Sequence, residues 1–143
     1  MPQQTDTAIP TRLSSVNQSL VGKKLRLAGR NGVPNRLLSY DVTTGLILIA
    51  GEDKAILVDV SLCVDPWSSA WIREPWATIM TIGYVESSLG QLPIPIIPAY
   101  ASAPSIDPKL VFRALLVVES ADLDLDLWNS SIKERERLSA GLG

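Results

Sequence analysis

Short runs of period-two alternation constrain this chain more than any other feature. In Lys24-Leu25-Arg26-Leu27-Ala28-Gly29-Arg30, polar and apolar residues take turns, which fits a half-buried strand and not a helix. The pattern puts Leu25 and Leu27 inward and Lys24, Arg26 and Arg30 outward, and Gly29 suits a bulge or bend. Residues 31–35 (Asn-Gly-Val-Pro-Asn) carry turn chemistry, and the strand is read as resuming over 36–40. A hairpin connection at 41–45 leads to a second strand over 46–50 and a turn at 51–53. The third strand, 55–61, sets Ile56, Val58 and Val60 on one face and Leu57 and Asp59 on the other. A fourth follows at 76–86, with a bend at Gly83.

Before the first strand, Leu13, Val16 and Leu20 recur at helical spacing, so a short helix or turn is expected there, ending at Gly22. Residues 87–108 hold Pro93, Pro95, Pro98, Pro104 and Pro108. Proline lacks the N–H that a central strand donates, so the segment is read as a long loop. The fifth strand, 109–119, carries Leu110, Phe112, Ala114, Leu116 and Val118 on one face and Val111, Leu115 and Val117 on the other. It is expected to be covered on both sides. Residues 124–139 are predicted to be a helix, opened by Asp122, Asp124 and Asp126 and closed by Lys133, Arg135 and Arg137, as the helix dipole favours. These elements predict an all-β fold with a terminal helix: a five-stranded OB-fold barrel plus a C-terminal α-helix. With 143 residues, one such domain over 11–140 is expected after a disordered tail at 1–10.

Composition narrows the chemistry. The chain contains no histidine and a single cysteine, Cys63. It therefore lacks the commonest general base, the commonest metal ligand and any means to build a thiolate zinc site. Asp122, Asp124 and Asp126 lack the glycine and the late glutamate of a calcium loop, and no Gly-rich phosphate motif is present. A non-catalytic protein without cofactor or metal is expected. One cysteine allows no internal disulfide, which favours a reducing compartment. No apolar run approaches a membrane span and the start is not a secretory signal.

Three features could carry binding. The outward face of the first strand offers Lys24, Arg26 and Arg30, with Lys23 and Arg36 nearby; it could neutralise phosphates or be an ordinary solvated face. Net charge is only −2, so strong binding of nucleic acid by the chain alone is not expected. Trp67, Trp71 and Trp76, with Tyr40 and Tyr84, could stack bases, but core or interface roles are favoured because these Trp fall mostly between the third and fourth strands. The helix carries two stripes. Leu125, Trp128 and Ile132 form one, and Leu127, Ser131 and Leu138 the other, about a third of a turn away. One can close on the barrel while the other meets a partner; the alternative is that both pack on the chain's own barrel.

The order of these pieces resembles a known family. Val21-Gly22-Lys23-Lys24-Leu25-Arg26-Leu27-Ala28-Gly29-Arg30, Leu38-Ser39-Tyr40-Asp41-Val42-Thr43-Thr44-Gly45, Ile56-Leu57-Val58-Asp59-Val60 and Thr81-Ile82-Gly83-Tyr84-Val85-Glu86 follow one another. Residues 113–119 and Asp124-Leu125-Asp126-Leu127-Trp128 complete the series. Together they look like the smallest subunit, Ten, of the CST telomere-capping complex, whose partner is the Stn subunit. The resemblance implies a nuclear protein at chromosome ends. It would form a heterodimer with an Stn-type OB-fold protein, through Leu125, Leu127, Trp128, Ile132 and Leu138, and join a third, large CST subunit. It would contact telomeric single-stranded DNA weakly or only in the complex, with Lys23, Lys24, Arg26, Arg30, Arg36 and Tyr40 as candidate contacts, and would support DNA polymerase alpha–primase in DNA replication. The smallest subunit of replication protein A is the runner-up, and an autonomous single-strand DNA-binding module is a third reading.

Overall fold

Alternating side chains need a sheet with one face turned to a core, and the chain satisfies this by closing its sheet on itself. The computed structural model describes residues 7–31, 45–51, 54–63, 77–88 and 105–142. A two-residue strand β1 (Ile9–Pro10) is followed by two 3-10 turns, Leu13–Ser15 and Gln18–Leu20. Then come β2 (Lys24–Asn31), β3 (Leu46–Gly51), β4 (Lys54–Asp59), β5 (Thr78–Ser87), β6 (Ser105–Glu119) and the helix α1 (Leu125–Leu142). Strand order is β1-β2-β3-β4-β6-β5, and β5 returns to pair with β2. Strands β2 to β6 thus form a closed five-stranded barrel with one parallel contact, β4 on β6. This is the OB-fold with a terminal helix that the sequence predicts.

The inward positions are as the alternation places them. Leu25 and Leu27 are fully buried, with Ile47 and Ile49, Ile56, Val58 and Val60, Ile79 and Val85, and Phe112 in one cluster. Each such side chain contributes roughly 1.5–3 kcal/mol on leaving water. Leu13, from the first 3-10 turn, joins this cluster. It can do so because Gly29 has no side chain: a Cβ there would lie 2.6 Å from Ile49 Cγ2, 2.8 Å from the Ala50 carbonyl oxygen and 3.1 Å from Leu13 Cδ1. Gly29 therefore marks a close approach. No bulge interrupts it, since β2 pairs with β5 without a break from Lys24–Tyr84 to Arg30–Thr78. Lys54 Nζ ties the turns down by donating to the Val16 carbonyl at 2.8 Å.

Four expectations are corrected. Ile9 and Pro10, assigned to the tail, pair in parallel with Leu25 and Arg26. The Pro-rich loop ends sooner than 108, because β6 begins at Ser105, which pairs with Lys54. Pro108 is tolerated because the β4–β6 register slips there: Ala55 faces Ile106 but Leu57 faces Val111, so the intervening residues have no ladder partners on β4. The far half of β6 is not covered on both sides. Ile82 pairs with Leu116 but Gly83 with Ala114, so Leu115 is an extra residue, a β-bulge that shifts the alternation by one. Leu115, Leu116 and Val118 are consequently exposed, while Val117 packs on the core.

The helix is the fourth correction. It runs on to Leu142, so Lys133, Arg135 and Arg137 lie along its middle and its last turn holds no basic residue. Its start is as expected. The Leu127 N–H donates to Asp124 Oδ1 at 3.1 Å, and the Trp128 N–H to the Asp124 carbonyl at 2.9 Å, which makes Asp124 the N-cap. Asp124→Ala is expected to cost about 1 kcal/mol, seen as a melting temperature lower by about 3–5 °C.

Candidate partner interface

The helix shows which of its stripes is free. Ile132 is 5% exposed, and Leu125 and Trp128 are half-buried, so this stripe faces the chain's own barrel. Leu127 and Leu138 are 64% and 54% exposed, and Ser131 is exposed beside them. The helix packs on β2 and is pinned to the N-terminal segment by Arg12, whose guanidinium reaches Glu136 at 3.1 Å. Arg137 pairs with Glu134 one turn back. These exposed pairs orient the surface and contribute little stability.

A long groove runs beside the helix. One cleft of about 580 Å³ is walled by Leu123, Leu127, Trp128 and Pro10. A second, of about 490 Å³, is walled by Ile9, Leu20, Lys23 and Glu136. They share Pro10, Ile132 and Arg135 and so lie side by side. Their lining is mostly apolar, with Asp122, Asp124, Arg135 and Glu136 among the residues that border them. Trp128 Nε1 is buried in the wall without a hydrogen-bond partner among the described residues. Trp128 thus belongs to the packing of the helix on its own chain as much as to the free surface.

The basic residues do not form an open track. Lys23 is exposed, but Lys24, Arg26 and Arg30 are half-buried and Arg26 Nε is fully enclosed. Ala28 points to the same outer side of β2 and is 2% exposed. Arg36 and Tyr40 lie outside the described residues, as do Trp67, Trp71 and Trp76. Tyr84 stands on the outer face of β5, in register with Lys24.

The outer face of the β3–β4 hairpin carries a signal that the sequence reading missed. OB domains use the corresponding strands and the loops around them to hold oligonucleotides. Here the outward residues are Leu48 and Ala50 on β3 and Ala55 and Leu57 on β4. They form a second apolar cluster, joined by Ile106, with exposures between 1% and 6%. At these exposures the side chains offer a base or phosphate almost no surface to contact. The sequence does contain the signal: β3 is apolar at every position, Leu-Ile-Leu-Ile-Ala-Gly, as a strand buried on both faces should be.

Cys63 is partly buried and packs against the core cluster. Burial, then the nearby Asp59 carboxylate, push its thiol pKa up, and Sγ lies 3.4 Å from the Ala114 carbonyl. A raised pKa keeps the sulfur protonated and unreactive at neutral pH.

A closed five-stranded barrel with a terminal helix is the fold of an OB domain. Among solved structures, it is similar to a chain of the S. pombe Stn1–Ten1 complex, with a TM-score of 0.60 and 16% identity over 95% of this chain and 98% of that one. It is also similar to the telomere capping protein Ten1 from the same organism, with a TM-score of 0.57 and 15% identity over 92% and 99% of the two chains. At such identities the likeness is one of fold, and it extends over nearly the whole of each chain. No protein-family model and no curated protein sequence matches.

Proposed function

We propose that this chain is a non-catalytic, Ten-type OB-fold subunit that pairs with an Stn-type OB-fold protein in a CST telomere-capping complex. The observation that carries the reading is the helix. It closes one stripe on its own barrel and leaves Leu127 and Leu138 exposed, Leu127 on the wall of an apolar cleft, in a fold matching Ten1 almost end to end. The groove and the exposed stripe would supply the apolar surface on which the partner seats. A third, large subunit, telomeric single-stranded DNA and DNA polymerase alpha–primase are then reached through the assembly, at chromosome ends in the nucleus. The direct test is co-expression with the Stn-type protein of the same organism, followed by light scattering of the purified product. A one-to-one complex is expected; a stable complex with the middle subunit of replication protein A and none with the Stn-type protein would overturn the reading.

DNA binding by the isolated chain is expected to be weak. The usual oligonucleotide face is apolar and buried, and the cations on β2 are partly enclosed. Contact through about three to five cations gives a modest affinity that falls steeply with salt. Fluorescence anisotropy with a G-rich single strand at physiological salt should show dissociation constants in the micromolar range or weaker. Nanomolar binding would instead support an autonomous DNA-binding module.

A further inference from the structure

We infer that Arg135 decides which proteins can seat on the exposed helix stripe, by requiring a carboxylate from the partner, an inference that rests on the Stn-type pairing. Leu127, Ser131 and Arg135 stand one turn apart on α1, and Leu138 follows a turn later on the same face. All four are exposed. Arg135 is thus a cation set into the stripe between two exposed leucines, and it borders both clefts beside the helix.

The carboxylates of its own chain are engaged or distant. Glu134 pairs with Arg137, and Glu136 with Arg12 at 3.1 Å. Asp122 and Asp124 sit at the N-terminal end of the helix, about 16 Å away along its axis. No ion pair or hydrogen bond of the Arg135 side chain is found among the described residues. Lys23, which borders the second cleft together with Arg135, is exposed too and adds a second positive charge.

A partner that covers Leu127 and Leu138 takes Arg135 out of water with them. Enclosing a cation without a counter-charge is strongly unfavourable, whereas a carboxylate on the guanidinium offsets the lost hydration and can accept two parallel hydrogen bonds. A like charge at the same place is penalised, which is how interfaces turn wrong partners away. The occupant is therefore a segment of the Stn-type partner with apolar side chains for Leu127 and Leu138 and an Asp or Glu between them. An OB-fold protein with lysine at that place is rejected, however well its apolar side chains fill the clefts.

The test is calorimetric titration of the Stn-type protein of the same organism with wild-type chain, Arg135→Glu, Arg135→Gln and Lys133→Glu, each at about 50 and about 300 mM salt. Lys133 is the control: it is exposed on the opposite face of α1, about 200° round from Arg135, and borders a different cleft. Arg135→Glu should bind about 30-fold more weakly than wild type and Arg135→Gln about fivefold more weakly, with Lys133→Glu within about twofold. Wild-type affinity should fall more steeply with salt than that of Arg135→Gln. Melts of the free chains should agree within a few degrees, both positions being exposed. A wild-type chain that does not bind overturns the Stn-type reading and this inference with it. Given a wild-type complex, unchanged affinity in Arg135→Glu overturns the inference alone. So does an equal loss in Lys133→Glu, which marks a long-range effect of net charge. Should Arg135→Glu prove unfolded, Arg135→Gln decides, and wild-type affinity with wild-type salt dependence in that variant overturns the inference.

Discussion

Gly83→Ala is expected to destabilise the barrel by about 3 kcal/mol or more, lowering the melting temperature by about 10 °C. The position faces the bulge on β6. A Cβ at Gly83 would sit 2.1 Å from the Arg113 carbonyl oxygen and 2.9 Å from both the Arg113 carbonyl carbon and Ala114 Cα. All three are backbone atoms, so no side chain can swing away. Relief requires β5 and β6 to part in the middle of a ladder running from Ile79 to Ser87, with loss of hydrogen bonds and of contacts around Phe112. Gly51→Ala is the matched control. Its new methyl would meet nothing nearer than Leu13 Cβ at 3.4 Å, an ordinary contact, so a change of less than about 1 kcal/mol is expected. Thermal melts of the two variants followed by circular dichroism check the pair. Equal melts would contradict the close strand approach at the bulge.

Gly83 also shows where the sequence was legible and where it was not. A glycine within an apolar run pointed to a bend at that site. The bulge itself lies on the other strand, at Leu115, where nothing in the local pattern marks it. Period-two reading assumes an unbroken register, so one inserted residue moved Leu116 and Val118 from the expected covered face to the surface. Short-range alternation was enough for Leu25 and Leu27, and for Ile56, Val58 and Val60 along and just beyond β4. The reason is that β2 against β5 and β4 against β3 pair without a break, and the extra residues at the β4–β6 slip belong to β6. Ile9–Pro10 escaped notice because two residues carry no period at all, and their pairing with Leu25 and Arg26 is purely tertiary. The β6 start at Ser105 escaped because proline was taken as a strand breaker, and at Pro108 the register slip removes the need for its N–H. The helix was legible from its spacing and its Asp124 cap. The choice between its stripes was not, since only the tertiary packing of the helix, which buries Ile132 and leaves Leu127 exposed, decides it.

That choice carries the second large effect. With Ile132 buried and Leu127 exposed, the two stripes should separate cleanly on substitution. Ile132→Ala removes buried methyl groups and is expected to cost about 2–4 kcal/mol of fold stability. Leu127→Lys changes a residue that is 64% exposed and should leave the fold within about 0.5 kcal/mol of wild type. Its effect falls on the partner: a lysine on the apolar groove loses a contact and strands a charge, for an affinity loss of roughly 10- to 100-fold. Trp128 lies between the two cases. Half-buried, with its Nε1 enclosed, it should cost both stability and affinity when truncated to alanine.

The most direct measurement is therefore calorimetric titration of the Stn-type protein with wild-type chain and with Leu127→Lys, each accompanied by a melt of the free chain. The account predicts a one-to-one complex for wild type, an affinity roughly 10- to 100-fold lower for Leu127→Lys, and superimposable melts. Wild-type affinity in Leu127→Lys, with the fold intact, would contradict the assignment of the outward helix stripe as the partner's seat.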